Sequence, residues 1–171
     1  MAIIFDLDQT LIDSRAAEPY RMGKNRDLNK VYGMIPTLTP YPGINELIEE
    51  CNQNNIRISI VTAGTIHYCK RVVEHWQWKI DHLVCFHDYA PLKKPHPKPI
   101  QMGVARLNKD TTDIIAIGDS STDTEAARKA GVFSIGALWG TIDKQSLIAS
   151  KPDLLCENVA ELRNFIASKF F

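Results

Sequence analysis

Asp6 and Asp8 stand one residue apart at the end of an apolar run, in the stretch IIFDLDQTLIDS at residues 3–14, and Thr10 adds a hydroxyl two positions later. Carboxylates so close repel each other unless a cation or a shared proton relieves them. Three other stretches carry groups that answer this pair. Thr62-Ala63-Gly64-Thr65 offers hydroxyls and small residues ahead of a helical pattern, where main-chain amides can hold an anion. Lys93, Lys94 and Lys98 lie in KKPHPK, and Asp119 and Asp123 lie in GDSSTD. Acids, hydroxyl, amides and ammonium together suit a divalent cation plus a phosphoryl group. Magnesium takes hard oxygens in octahedral geometry and keeps several waters, while phosphate takes amide donors, a hydroxyl and a cation.

Regular elements must bring these groups together. Short apolar runs at residues 2–5, 56–61, 82–86, 114–117 and 132–135, with a weaker one at 153–156, read as buried parallel strands. Between them, residues 43–53, 65–75, 97–107, 121–130 and 157–168 carry apolar stripes or capping punctuation of helical kind. Strand–helix alternation predicts an α/β fold, a doubly wound parallel sheet with helices on both faces. Ligands of such sheets bind beyond the carboxyl ends of the strands, which is where each chemical stretch falls. Residues 14–41 break the alternation with Gly23, Gly33, Pro36 and Pro40, and read as a long loop or a small helical insertion.

The 171 residues suffice for one domain with its own core. Twenty basic and twenty acidic side chains cancel, which argues against bulk attraction to nucleic acid or membrane. No apolar run reaches the roughly 20 residues of a membrane span, and the N-terminus lacks a secretory layout. Cys51, Cys69, Cys85 and Cys156 are scattered without metal-binding spacing, so free thiols in a reducing cytoplasm are expected. One local bias stands out: Arg15, Arg21, Lys24, Arg26 and Lys30 face only Glu18 and Asp27 within residues 15–30. A solvated face or a collar for an anionic ligand both fit this cluster. His67, His75 and His82 fall at no ligand spacing and read as structural; His96 reads as surface loop; Trp76 and Trp78 read as packing on the sheet edge, and Trp139 as packing.

Four separated motifs, FDLDQTLIDS, IVTAG, KKPHP and IGDSSTDTEAARKAG, resemble in order those of the haloacid dehalogenase superfamily. The likeness runs from residue 2 to about residue 166 and leans to the phosphoglycolate phosphatase-like branch. It implies a three-layer Rossmann-like sheet, with residues 14–41 as a minimal cap. It also implies a magnesium-dependent phosphatase working through an aspartyl phosphate. Asp6 is then the nucleophile, and Asp8 the acid that protonates the leaving alkoxide and the base that activates water. Thr62, the amides of Ala63 and Gly64, and Lys94 hold the phosphoryl oxygens. Asp6, Asp119 and the carbonyl of Asp8 hold the metal, with Asp123 in support, orienting Lys94 or a metal-bound water. An acid two after the nucleophile separates ester hydrolysis from dehalogenation, because a halide leaves without a proton.

The sequence departs from that pattern at Gln9, where the family has glycine, which stiffens the turn or points to solvent, and at Ala63, where many relatives have asparagine. Lys94 fits the lysine spacing best, with Lys98 the alternative. A short cap implies an open site, suited to a phosphorylated small molecule, to a larger phosphorylated substrate, or to a second copy serving as lid. Phosphoryl transfer of the mutase kind and a non-catalytic phospho-ligand domain are the competing readings. The first must exclude water, which a short cap does poorly; the second usually lacks an acid or the lysine, and here all are present.

Overall fold

Apolar side chains on both faces of the strands decide the architecture. The computed structural model describes residues 1–21 and 24–170; Gly23, one of the breakers in the predicted insertion, lies outside the described residues. In chain order the elements are β1 (Ala2–Phe5), α1 (Glu18–Arg21), α2 (Leu28–Met34), α3 (Ile44–Gln53), β2 (Arg57–Val61), α4 (Ile66–His75), β3 (His82–Val84) and α5 (Phe86–Tyr89). There follow α6 (Lys98–Leu107), β4 (Ile114–Gly118), α7 (Ser121–Lys129), β5 (Phe133–Ala137), α8 (Lys144–Ala149), β6 (Leu154–Cys156) and α9 (Val159–Phe170). The strands form one parallel sheet in the order β3-β2-β1-β4-β5-β6. The predicted doubly wound α/β fold is therefore the observed one.

Alternation along β1 divides the core. Ile3 and Phe5 face one layer with Leu47 and Ile48 of α3, Val72 of α4 and Leu162 of α9. Ala2 and Ile4 face the other with Ile100 of α6 and Ala126 of α7. Each large side chain so buried contributes roughly 1.5–3 kcal/mol relative to exposure, which is why β1, fully buried at every position, fixes the register of its neighbours. Phe5 pairs with Ile60 on one side and Ile117 on the other. The winding reverses between β1 and β4, so the crevice beyond Phe5 and Gly118, at the carboxyl ends of those two strands, is the switch point where such folds bind ligands.

The predicted elements differ from the observed ones mainly where side chains compete with the backbone. β3 ends at Val84 because Cys85 caps α5, its amide donating to Asp88 Oδ2 at 2.7 Å. α5 and α8 had no sequence prediction; α8 is only six residues long and starts where Asp143 Oδ1 accepts from Ser146 N at 2.9 Å. The 14–41 segment is a helical insertion rather than a plain loop. It is closed by an antiparallel clasp in which Asp13 N donates to Thr39 O (2.9 Å) and Tyr41 N to Leu11 O (3.1 Å). Ala17, Val31, Ile35 and Leu38 anchor it in the core. Trp76 packs against the core, and its indole also donates to Leu38 O at 3.2 Å and so ties the insertion, while the buried Trp78 donates to Asn45 Oδ1 on α3 at 2.8 Å.

Candidate functional site

The continuation of β1 carries Asp6 into the crevice, its amide still held by Ile117 O at 2.9 Å. Lys94 arrives from the loop before α6. Its ammonium donates to Asp6 Oδ1 (2.7 Å), to Val61 O (3.0 Å) and to Asp123 Oδ1, so all three N–H donors have acceptors. Lys98 is exposed at the first position of α6 and takes no part. Burial disfavours the charged form of Lys94, but Asp123 and Asp6 outweigh it and hold the ammonium well above the usual lysine range.

Asp119 comes from the turn between β4 and α7, and Asp123 from the first turn of α7. Ser120 caps that helix in a reciprocal box with Asp123, whose Oδ2 accepts from Ser120 N (3.1 Å) and Oγ (2.5 Å). A Cβ on Gly118 would stand 2.3 Å from Asp123 Cβ, so the turn closes this tightly only on a glycine. Thr10 Oγ1 donates to Asp119 Oδ1 at 3.1 Å and ties the first acidic loop to the fourth. Burial, reinforced by Asp123, pushes the Asp119 carboxyl up to about 7. Asp6 is raised well above the carboxylate range by burial, with Lys94 opposing and Asp123, Asp119 and Asp8 adding to it.

The second stretch is shaped for an anion, with one difference from expectation. Gly64 N donates to Thr62 Oγ1 at 3.0 Å, so that amide is turned inward onto the hydroxyl rather than presented to the crevice. Ala63 is exposed, and Thr62 is buried with its carbonyl receiving Tyr89 OH at 2.9 Å. The Thr62 hydroxyl hydrogen remains able to donate. Gly64 is packed closely, a Cβ there meeting Tyr68 Cδ1 at 3.0 Å and Cys69 Sγ at 3.2 Å.

Asp8 is held by residues that motif spacing does not reveal. Its Oδ1 accepts from Ser14 Oγ (2.6 Å) and Tyr68 OH (2.8 Å), and its Oδ2 from Arg21 Nη2 (2.6 Å). Arg21 lies on α1 of the insertion with its guanidinium 4.9 Å from the Tyr68 ring centre. The basic cluster of residues 15–30 was the signal for it; which of five cations would enter required the fold. Gln9 is buried, not solvent-facing: its amide nitrogen donates to Ser14 Oγ at 3.2 Å and its backbone is left-handed, φ 62°. That conformation explains a glycine at this position in the motif.

Asp6, Asp8, Thr62, Lys94, Asp119 and Asp123 line one cavity of about 360 Å³ with Arg21 and Arg26 on its insertion side. Among the described residues no three Asp, Glu, His or Cys side chains form a ready cation cage; Lys94 and Arg21 take up carboxylate oxygens of Asp6, Asp123 and Asp8 instead. The donor chemistry nevertheless suits a hard cation. The lining holds five carboxylates, Asp6, Asp8, Glu18, Asp119 and Asp123, against four cations, Arg21, Arg26, Lys93 and Lys94. Among the described residues Asp119 is the one of the four aspartates that neither Lys94 nor Arg21 pairs, which leaves its oxygens as donors open to a hard cation. The donors and acceptors of this crevice are of the kinds that a hard cation and an oxyanion take.

Comparison with known proteins agrees with this geometry. A family model described as haloacid dehalogenase-like hydrolase matches residues 23–137, a span that takes in Thr62, Lys94, Asp119 and Asp123 and starts after Asp6 and Asp8. A phosphoglycolate phosphatase of Vibrio parahaemolyticus is 28% identical over 128 residues, covering 74% of this chain and 56% of the relative. The pyrophosphatase PpaX of Oceanobacillus iheyensis is 24% identical over 134 residues, covering 78% and 63%. The chain thus spans between half and two thirds of the length of these relatives. A hydrolase from Pseudomonas syringae superposes with a TM-score of 0.83 at 19% identity over the whole of both chains, a likeness of fold.

Proposed function

Because the chain belongs to the haloacid dehalogenase-like hydrolase family, we propose that it hydrolyses phosphate monoesters with Asp6 as nucleophile and a divalent cation, magnesium, as cofactor. The observation that carries this reading is the Lys94 ammonium bridging Asp6 and Asp123 in the switch-point crevice. An ammonium there orients the nucleophile and can neutralise a phosphoryl oxygen as charge spreads over it.

In this reading Asp6 attacks phosphorus in line and becomes the aspartyl phosphate. The Thr62 hydroxyl and the Ala63 amide take phosphoryl oxygens, and Lys94 takes another; Gly64 must turn its amide outward to join them. Asp8 protonates the departing alkoxide and then takes a proton from the attacking water. Asp6, Asp119 and the Asp8 carbonyl would hold the cation, which supplies electrostatic shielding that lets the anionic ester approach the acids. The relatives named for phosphoglycolate and pyrophosphate support a phosphorylated small molecule as substrate. Four free, buried cysteines suit a reducing cytoplasm, and no described helix is long and apolar enough to cross a membrane.

The test is turnover of an aryl phosphate with magnesium, with chelator, and with Asp6→Asn. Activity is expected only for the unmodified protein with metal, since Asn cannot form the phosphoenzyme. Undiminished turnover by the Asn variant would remove Asp6 from the chemistry; inactivity of the unmodified protein on a broad ester panel would favour a binding role.

A further inference from the structure

We infer that Tyr68 is a positioning residue for the acid step: with Ser14 it fills one oxygen of Asp8, Oδ1, and so assigns the other, Oδ2, to carry the proton that the leaving group takes. The inference rests on the phosphatase reading above and adds to it the residues that aim the acid. Three observations carry it.

First, the two oxygens of Asp8 are used unequally. An ionised carboxylate offers about four lone-pair sites, shared evenly between its oxygens. Oδ1 receives the Ser14 hydroxyl at 2.6 Å and the Tyr68 phenol at 2.8 Å, which occupies both of its sites. Among the described residues Oδ2 receives only Arg21 Nη2, at 2.6 Å. The remaining site is therefore on Oδ2, and Asp8 lines the same crevice as Asp6.

Second, both hydroxyls on Oδ1 are fixed as donors. Gln9 Nε2 donates to Ser14 Oγ at 3.2 Å, so the Ser14 hydrogen is turned to Asp8. Ser14 and Tyr68 are both buried, which shields these bonds from water. The Tyr68 ring is itself confined: a Cβ on Gly64 would stand 3.0 Å from its Cδ1, and the Arg21 guanidinium lies 4.9 Å from its centre. A protonated Asp8 keeps both bonds, because Oδ1 then accepts as a carbonyl oxygen and the hydroxyl is Oδ2–H.

Third, Tyr68 stands in the first turn of α4, just after the stretch Thr62–Thr65 that is proposed to hold phosphoryl oxygens. The acid is thus set by the element that follows the phosphoryl pocket. As the bond from phosphorus to the ester oxygen breaks, its electron pair stays on that oxygen, which takes the proton from Oδ2 and leaves Asp8 ionised. A proton offered from Oδ1 would require one of the two hydroxyls to let go.

The experiment compares kcat/KM for propyl phosphate, whose alkoxide must be protonated as it leaves, and for 4-nitrophenyl phosphate, whose phenolate leaves without a proton. This constant ends with departure of the leaving group, so later hydrolysis of the phosphoenzyme does not enter it. A positioned general acid contributes roughly 10²–10⁴-fold. Tyr68→Phe, which deletes only the hydroxyl, should lower the ratio of propyl to nitrophenyl kcat/KM by about tenfold. Ser14→Ala should lower it in the same direction, and it carries the comparison if Tyr68→Phe does not fold. A purely structural disturbance lowers both esters together and leaves the ratio where it was. An unchanged ratio in a folded variant therefore overturns the inference, and so does an unmodified protein that hydrolyses the nitrophenyl ester but not the propyl one. Both outcomes leave the phosphatase reading intact. An unmodified protein inactive on both esters brings down both.

Discussion

A Cβ on Gly140 would stand 1.6 Å from the carbonyl oxygen of Gln9, so the loop after β5 and the loop after β1 meet only because residue 140 is glycine. The same junction is tied by Trp139, whose indole donates to Thr10 O at 3.0 Å. The loop carrying Asp8 and Thr10 is therefore braced by the loop that follows β5 at the same end of the parallel sheet. Gly140→Ala forces one loop to move. We expect a loss of roughly 1–3 kcal/mol of stability, the usual range for overpacking, and a fall in turnover larger than the fraction unfolded explains. Denaturant unfolding and steady-state kinetics on the same preparation check it; unchanged values for both would mean the loops yield freely.

The two lysines of the third motif should separate cleanly. Lys94→Ala removes the ammonium from between Asp6 and Asp123 and leaves buried carboxylates facing each other. A drop in kcat of about 10²–10³ is expected, by analogy with removing one preorganised donor from a transition-state site. Lys98→Ala, at an exposed helix start, should stay within twofold. Equal effects from the two substitutions would contradict the placement of the ammonium.

Metal dependence should appear in stability as well as in rate. Asp119 is a buried carboxyl whose charge is disfavoured without a counter-ion. Asp119→Asn keeps an acceptor for Thr10 and deletes that charge, so the chelated protein should melt at the same temperature or higher. Magnesium at a hundred times its dissociation constant should stabilise the unmodified protein by about 2.7 kcal/mol, or roughly 5–10 °C at this chain length. The Asn variant should show little of that shift. A variant that melts upward with magnesium as far as the unmodified protein would take Asp119 out of the metal site.

The sheet was legible because strands buried on both faces leave no ambiguity: Ile3, Ile4 and Phe5, or Ile115, Ala116 and Ile117, have few other places to go. Asp6, Asp8 and Asp119 were legible because each follows a strand end, where topology rather than side-chain detail decides position, and Asp123 because it lies in the first turn of the helix after β4; Lys94, in the loop before α6, was legible from its motif spacing. What lay beyond sequence depends on rotamers and short-range competition. Arg21 was one cation among several until α1 and Tyr68 placed it on Asp8. Gly64 N turned to Thr62 Oγ1, a choice between two partners that spacing cannot foresee. Cys85 ended β3 early by capping α5, against a run of apolar residues that reads as continuous strand.

The clasp that joins Asp13 to Thr39 and Leu11 to Tyr41 gives the insertion a common doorway for entry and exit. Lengthening the segment adds little closure cost, which grows only with the logarithm of length, about 0.6 kcal/mol per doubling, as long as Ser14 and Arg21 stay on Asp8 and Ala17, Val31, Ile35 and Leu38 stay in the core. If the crevice turns over esters as proposed, a larger segment grafted between these two gateposts should change which of them it admits.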